Sequence, residues 1–128
     1  MSNIFKFGKF ILSSGKESDY KIDCDGLSDE DIEFFARLIS QNINFKGVYG
    51  IPTGGNRLAD ALRKYCVLDQ DEQYLIVDDV MTSGKSFEKA KEKLSKYPNI
   101  IGVCIFCRDK YAKPDWVRSI FEVGDFIL

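Results

Sequence analysis

The sequence contains no histidine among its 128 residues, and this absence removes several kinds of chemistry. Nucleophiles activated by histidine are excluded, and so is the commonest general base of enzymes. Zinc sites that use imidazole ligands are excluded as well. Any catalysis must therefore use carboxylates, backbone dipoles, a metal ion or charges that the substrate itself carries.

Cysteine is also scarce, with four residues in the chain. Cys104 and Cys107 have the spacing of a metal or redox pair, but they lie inside the apolar run 100–107. Residues three apart point to opposite faces of a strand, and no second cysteine pair exists to complete a zinc site. We therefore predict that both belong to the core, and that the chain occupies a reducing cytoplasm.

The sequence has neither an excess of positive charge nor a long apolar run. The formal net charge is −2, so no basic field indicates a nucleic-acid partner. No run has membrane-spanning length, and the N-terminus lacks a secretory signal, so we expect no membrane partner and no export. The length favours one domain over residues 1–128.

The most informative stretch is an apolar strand followed by acids and small residues. Residues 74–77 are continuously apolar, which is typical of a strand buried on both faces of a parallel sheet. We expect that strand to end where Asp78 and Asp79 begin. The segment Thr82–Ser86 follows and opens an amphipathic helix. A turn of small residues entering a helix presents backbone N–H groups and hydroxyls, which bind phosphate.

Two other interpretations of this stretch are possible in principle. Gly84-Lys85-Ser86 resembles the end of a P-loop, but that motif requires a glycine where Asp79 stands, so we discount it. An ordinary strand-to-helix turn with solvated acids is the second interpretation. Acids beside a phosphate site favour a ligand that also carries hydroxyls or a bound Mg²⁺.

The remaining patterns predict an α/β fold with a mostly parallel central sheet flanked by helices. A short hairpin is expected over residues 5–23, and Ser28 with Asp31 begins a helix. A short strand over 45–51 leads into Pro52-Thr53-Gly54-Gly55 and a helix over about 56–66. That glycine-containing turn lets the backbone approach a ligand closely.

The stretch from residue 74 to residue 86 resembles the ribose-phosphate signature of type I phosphoribosyltransferases. That signature is an apolar strand, two acids, two apolar residues and then Thr/Ser-x-Gly-x-Ser/Thr. The resemblance implies Mg²⁺-dependent binding of phosphoribosyl pyrophosphate (PRPP). Asp78 and Asp79 would be catalytic, facing the ribose hydroxyls and the water shell of the metal. The 5′-phosphate would contact Thr82, Ser83, Gly84, Lys85 and Ser86.

Two further motifs in the same order are similar to those of orotate phosphoribosyltransferases. The resemblance assigns the pyrophosphate to Pro52, Thr53, Gly54 and Gly55, with Arg57 supplying positive charge. Near the N-terminus, Phe10, Leu12, Ser14, Gly15, Ser18 and Tyr20 match the family order. Ser13 falls where many of those enzymes have a lysine near the base. Arg108 aligns with an arginine that contacts the acidic base, for which a guanidinium is suited.

One part of the family pattern is missing. Members have a long mobile loop with lysine and histidine before the acid-bearing strand, whereas only residues 65–73 stand there in this chain. Its segment 69–72 is acidic, the wrong sign for closing over pyrophosphate. We therefore expect an enzyme acting on a nucleobase, with orotate the first choice. The alternatives are transfer to a purine or other base, or a PRPP-binding regulatory protein with little or no catalysis. The sequence allows a homodimer without revealing one.

Overall fold

A computed structural model describes residues 5–11, 15, 17–68 and 73–122 of the chain. Within them, two short strands form an antiparallel hairpin and four strands form a parallel sheet. The strands are β1 (Phe5–Ile11), β2 (Glu17–Ile22), β3 (Gly47–Gly50), β4 (Gln73–Met81), β5 (Asn99–Cys107) and β6 (Val117–Glu122). The helices are α1 (Asp29–Asn42), α2 (Asn56–Leu62) and α3 (Lys85–Lys93).

The parallel sheet has the strand order β3-β4-β5-β6, so the acid-bearing strand β4 is internal. Leu75, Val77 and Ile105 pack in one cluster with α1 and α2. Ile76 and Cys104 pack in a second cluster that includes Phe87 of α3. Helices therefore cover both faces of the sheet, and the predicted α/β fold with its N-terminal hairpin is confirmed. Cys104 and Cys107 are core residues, as predicted.

The sequence signals for α1 and α3 are borne out in detail. Ser28 accepts a hydrogen bond from the N–H of Asp31, and the Asp31 side chain accepts one from the N–H of Ser28. Helix α3 buries Phe87 and Ala90 and ends before the proline-containing turn that precedes β5. Local capping and apolar spacing are enough to specify these helices.

Two boundaries differ from expectation. Strand β4 does not stop before Asp78 but continues through Asp79 and Val80 to Met81. The extension forms because β5 runs alongside as far as Cys107 and offers ladder partners to these residues. Helix α2 is shorter than predicted, since a 3-10 turn over Arg63–Tyr65 follows its last residue.

The capping box of α1 gives a stability prediction. Replacing Ser28 by alanine removes the acceptor for the N–H of Asp31, so the free energy of unfolding should fall by about 1 kcal/mol. Urea denaturation measures the change. Ser40→Ala is the matched control, because the Ser40 hydroxyl donates to the Arg37 carbonyl within the same helix and caps nothing. Equal losses from the two substitutions would contradict the capping role.

Candidate active site

An open cavity of about 540 Å³ lies at the carboxyl ends of the parallel strands. Ligand sites in open α/β sheets gather at this edge. Ten of the residues predicted for the site line it together: Pro52, Thr53, Gly54, Asp78, Asp79, Thr82, Ser83, Gly84, Ser86 and Arg108. Segments far apart in sequence thus meet in one place because their strands are neighbours.

Other predicted site residues lie elsewhere. Gly55 and Lys85 do not line the cavity. Arg57 is also outside it, because its guanidinium donates to the carbonyl of Leu27 at 2.9 Å and pairs with Asp29 at 3.1 Å. In this structure Arg57 holds the turn before α1 rather than facing a ligand. Ser13 and residues 69–72 lie outside the described residues.

The segment Thr82–Ser86, here called the phosphate loop, connects β4 to α3. Gly84 has φ +81°, a left-handed conformation that glycine adopts without steric cost, and it is the N-cap of α3. Among the described residues, no partner accepts a hydrogen bond from the backbone N–H of Ser83 or Gly84. These donors and the positive end of the α3 dipole provide a favourable place for an anion.

The segment Pro52–Gly55, here called the glycine loop, follows β3 and packs against β4. The N–H of Ile51 donates to the carbonyl of Val77 at 2.9 Å, which joins the start of the loop to β4. A Cβ atom on Gly54 would lie 2.6 Å from both carboxylate oxygens of Asp79. Only glycine at this position allows the loop and that carboxylate to approach so closely.

Asp78 and Asp79, here called the acid pair, differ in their surroundings. Burial, together with a hydrogen bond to the neighbouring Asp79 and the charge of Asp79, raises the pKa of Asp78 to about 8. Asp78 accepts a hydrogen bond from the N–H of Asp79 at 2.8 Å, which acts weakly in the opposite direction. Asp78 is therefore largely protonated at neutral pH.

Sequence reasoning missed three charged residues that also line the cavity, Lys21, Asp23 and Asp25. Asp23 pairs with Lys6 at 2.9 Å and accepts from the N–H of Asp25 at 3.0 Å. These bonds lower the pKa of Asp23. All three lie at the end of the hairpin or just after it. Nothing in their local sequence indicates a ligand site, because the tertiary fold alone brings them to the sheet edge.

A divalent metal fits this cavity only if a ligand accompanies it. The described residues contain no cluster of three or more side chains able to hold a metal ion. Mg²⁺ commonly binds through one or two carboxylates together with water and substrate phosphates. The acid pair meets that requirement.

The described residues also contain no helix long and apolar enough to cross a membrane.

The fold is that of the type I phosphoribosyltransferases. The crystal structure of orotate phosphoribosyltransferase from Aeropyrum pernix superposes with a TM-score of 0.73 and 23% identity, covering 93% of this chain and 88% of that one. That of the Mycobacterium tuberculosis enzyme in complex with 5-phospho-alpha-D-ribosyl 1-diphosphate gives a TM-score of 0.62 and 17% identity, covering 80% of each chain.

The sequence is similar to orotate phosphoribosyltransferases in particular. That of Pyrococcus horikoshii is 26% identical over 154 residues, covering 96% of this chain and 83% of the relative. No protein-family model matches the sequence. The predicted resemblance to orotate phosphoribosyltransferases, a class of enzymes, is thereby confirmed. Because this chain has only 128 residues, the 154 aligned residues include positions with no counterpart here.

The raised pKa of Asp78 predicts how stability depends on pH. Between about pH 5 and pH 8 the unfolded chain has lost the Asp78 proton and the folded chain retains it, so stability should fall as pH rises. The chain lacks histidine, so few other groups titrate in this range. Thermal unfolding of the wild type should therefore occur at lower temperature near pH 8 than near pH 5.5.

The Asp78→Asn variant tests this assignment. Its amide keeps the volume of the carboxyl and does not titrate, so the difference in melting temperature between the two pH values should shrink. Asp60→Asn, at an exposed carboxylate on α2, is the matched control and should retain the wild-type difference. An unchanged pH dependence in Asp78→Asn would show that another group causes it.

Proposed function

We propose that this chain is a Mg²⁺-dependent phosphoribosyltransferase that joins a nucleobase, orotate in the first instance, to the ribose 5-phosphate unit of PRPP. The observation that carries the proposal is the meeting of the phosphate loop, the acid pair and the glycine loop around one cavity. The similarity to orotate phosphoribosyltransferases supports it independently.

The two loops offer separate places for the two ends of PRPP. In the phosphate loop, the free N–H groups of Ser83 and Gly84 would bind the 5′-phosphate. In the glycine loop, the N–H groups of Thr53 and Gly54 likewise have no partner among the described residues and would bind the pyrophosphate. Backbone donors require no basic side chain, which fits a cavity lined by few cations.

The acid pair lies between these two loops, where the ribose would be. In the reaction a ring nitrogen of the base bonds to C1 while the bond from C1 to the pyrophosphate oxygen breaks, and pyrophosphate keeps the electron pair. The transition state has oxocarbenium character, so a fixed carboxylate at Asp79 would stabilise the positive ribose. Asp78, largely protonated at neutral pH, would donate a hydrogen bond to a ribose hydroxyl.

The charge of the cavity supports a metal requirement. Four acidic side chains line it, Asp23, Asp25, Asp79 and the largely protonated Asp78, against two cations, Lys21 and Arg108. A polyanion such as PRPP would be repelled unless a cation accompanies it. Mg²⁺ held through water by the acid pair would neutralise the pyrophosphate as it leaves.

Orotate is proposed as the base because of the relatives and because Arg108 lines the cavity. Its guanidinium matches the carboxylate of orotate in shape and charge. The assignment of Ser13 to the base stays a prediction. We also infer that turnover is slow, since losing one electrostatic contact to a developing charge typically costs about 10²–10³ in rate. The contact could be lost here because this chain lacks residues that its relatives have.

A PRPP-binding regulatory protein is the second candidate, and the same shortness of the chain favours it. Binding PRPP needs the two loops and a metal, whereas catalysis also needs water to be excluded.

A homodimer and a cytoplasmic location both stay predictions. Exposed apolar side chains such as Phe7 and Phe34 support the homodimer. The four free cysteines support the cytoplasmic location.

One assay separates these functions. The protein is incubated with PRPP, Mg²⁺ and orotate, uracil, adenine or hypoxanthine, and pyrophosphate release is followed. We expect release that depends on orotate and stops when EDTA removes Mg²⁺. Arg108→Ala should lower orotate-dependent release at least tenfold, because a charged hydrogen bond is worth about 1.5–3 kcal/mol. Arg37→Ala, at an exposed arginine on α1, is the matched control and should change little.

The other outcomes are equally informative. Release with a purine but not with orotate would keep the transferase and change its base. Calorimetric binding of PRPP with Mg²⁺, but no release with any base, would establish the regulatory alternative. No binding at millimolar PRPP would overturn both.

The contact between Gly54 and Asp79 gives a second prediction. In Gly54→Ala the new methyl group would occupy the space of the Asp79 carboxylate, which must then move. Because a side-chain end can shift more easily than backbone, stability should fall only slightly, whereas calorimetric affinity for PRPP with Mg²⁺ should fall about as much as in Asp79→Ala. Combining the two substitutions should cause no further loss. Additive losses would show that Gly54 acts separately from Asp79.

A further inference from the structure

Arg108 is bonded to the N-terminal hairpin, although it follows β5. One guanidinium nitrogen, Nη1, donates to the carbonyl of Tyr20 at 3.0 Å, and Nη2 donates to the hydroxyl of Ser18 at 2.8 Å. The guanidinium carbon also lies 3.9 Å from the centre of the Tyr20 ring, in a cation–π contact. Two hydrogen bonds and a stacked ring together fix both the direction and the plane of the guanidinium.

The Ser18 hydroxyl is fully committed within this arrangement. It donates to the carbonyl of Tyr20 at 2.7 Å and accepts from the N–H of Tyr20 at 3.2 Å. A hydroxyl has one donor and two acceptor positions, and the bond from Arg108 takes the last of them. The hydroxyl therefore cannot rotate away without breaking its other bonds, so it holds Arg108 from a fixed point.

Arg108 retains hydrogen-bonding capacity toward the cavity. A guanidinium has five N–H donors, and the hairpin receives two of them. Arg108 lines the cavity together with the acid pair and both loops, whereas Ser18 does not line it. Ser18 can therefore affect a ligand in the cavity only through Arg108 or by holding the hairpin in place.

We propose that Ser18 is a positioning residue for substrate recognition: it sets the plane of the Arg108 guanidinium so that the remaining N–H donors face the carboxylate of an acidic base. This inference rests on the proposed function. A purely structural tether would hold the hairpin over the cavity and affect every base alike. A positioning residue affects the base that carries a carboxylate and spares one that does not.

Steady-state kinetics of the full chain test the proposal. Ser18→Ala should raise KM for orotate about tenfold, while KM for PRPP stays within about twofold. Transfer to uracil, a pyrimidine without the carboxylate, should change little, so the preference for orotate over uracil should drop. Ser18→Thr retains a hydroxyl and should restore most of the affinity for orotate. Ser40→Ala, at a serine that does not line the cavity, should behave as wild type.

A double-mutant cycle shows whether Ser18 acts through Arg108. In an Arg108→Ala background, Ser18→Ala should have no further effect on KM for orotate. Additive effects, or an equal loss with orotate and uracil, would overturn the proposal and leave Ser18 as a tether. Melting temperatures show whether Ser18→Ala has a folding defect. If it has one, the kinetics of Ser18→Thr decide between positioning residue and tether. If the wild type transfers ribose phosphate to uracil but not to orotate, the inference about Ser18 is wrong but the protein is still a phosphoribosyltransferase. If the wild type does not bind PRPP, the proposed function itself is wrong.

Discussion

The parallel pairing of β4 with β3 and β5 is the constraint on which the rest of the molecule depends. It brings the carboxyl ends of three strands to one edge, where the N–H of Ile51 bonds to Val77 and the N–H of Arg108 bonds to the carbonyl of Met81 at 2.9 Å. Each strand ends in a segment with a different chemical character: glycine turn, acids with a phosphate loop, and arginine. Strand pairing, rather than any bond among the functional side chains, thus assembles the cavity.

The second organising feature is an excess of negative charge where an anionic ligand is proposed to bind. Asp23 is neutralised in part by Lys6, and burial keeps a proton on Asp78 at neutral pH. Both effects lower the repulsion that a polyphosphate would meet, and backbone N–H groups add attraction without adding side chains. The same acids would favour a cation beside such a ligand, and this is the basis of the proposed metal requirement.

The features that the sequence predicted depend on contacts between residues close together in the chain. The features that it did not predict depend on contacts between residues far apart in the chain. The capping box at Ser28 and the buried face of α3 depend on neighbours a few residues away, so local patterns predicted them. The length of β4 depends on β5, and the position of Arg57 depends on carbonyls about thirty residues earlier. Arg57 has the right charge near the right loop, yet its guanidinium is bonded to Leu27 and Asp29 at the start of α1.

Under the proposed function, Arg108 would link recognition of the base to the hairpin that covers part of the cavity. Phe10 and Lys21 of the hairpin line the cavity, so the hairpin shields part of it from water. The same hairpin is fixed to the sheet edge by Arg108 through Ser18 and Tyr20, and by the packing of Phe5 on Phe106. A carboxylate that binds Arg108 would meet a guanidinium already oriented by this cover, so less entropy is lost when the contact forms. Under the proposed function, one side chain would thus contribute both to substrate selection and to water exclusion.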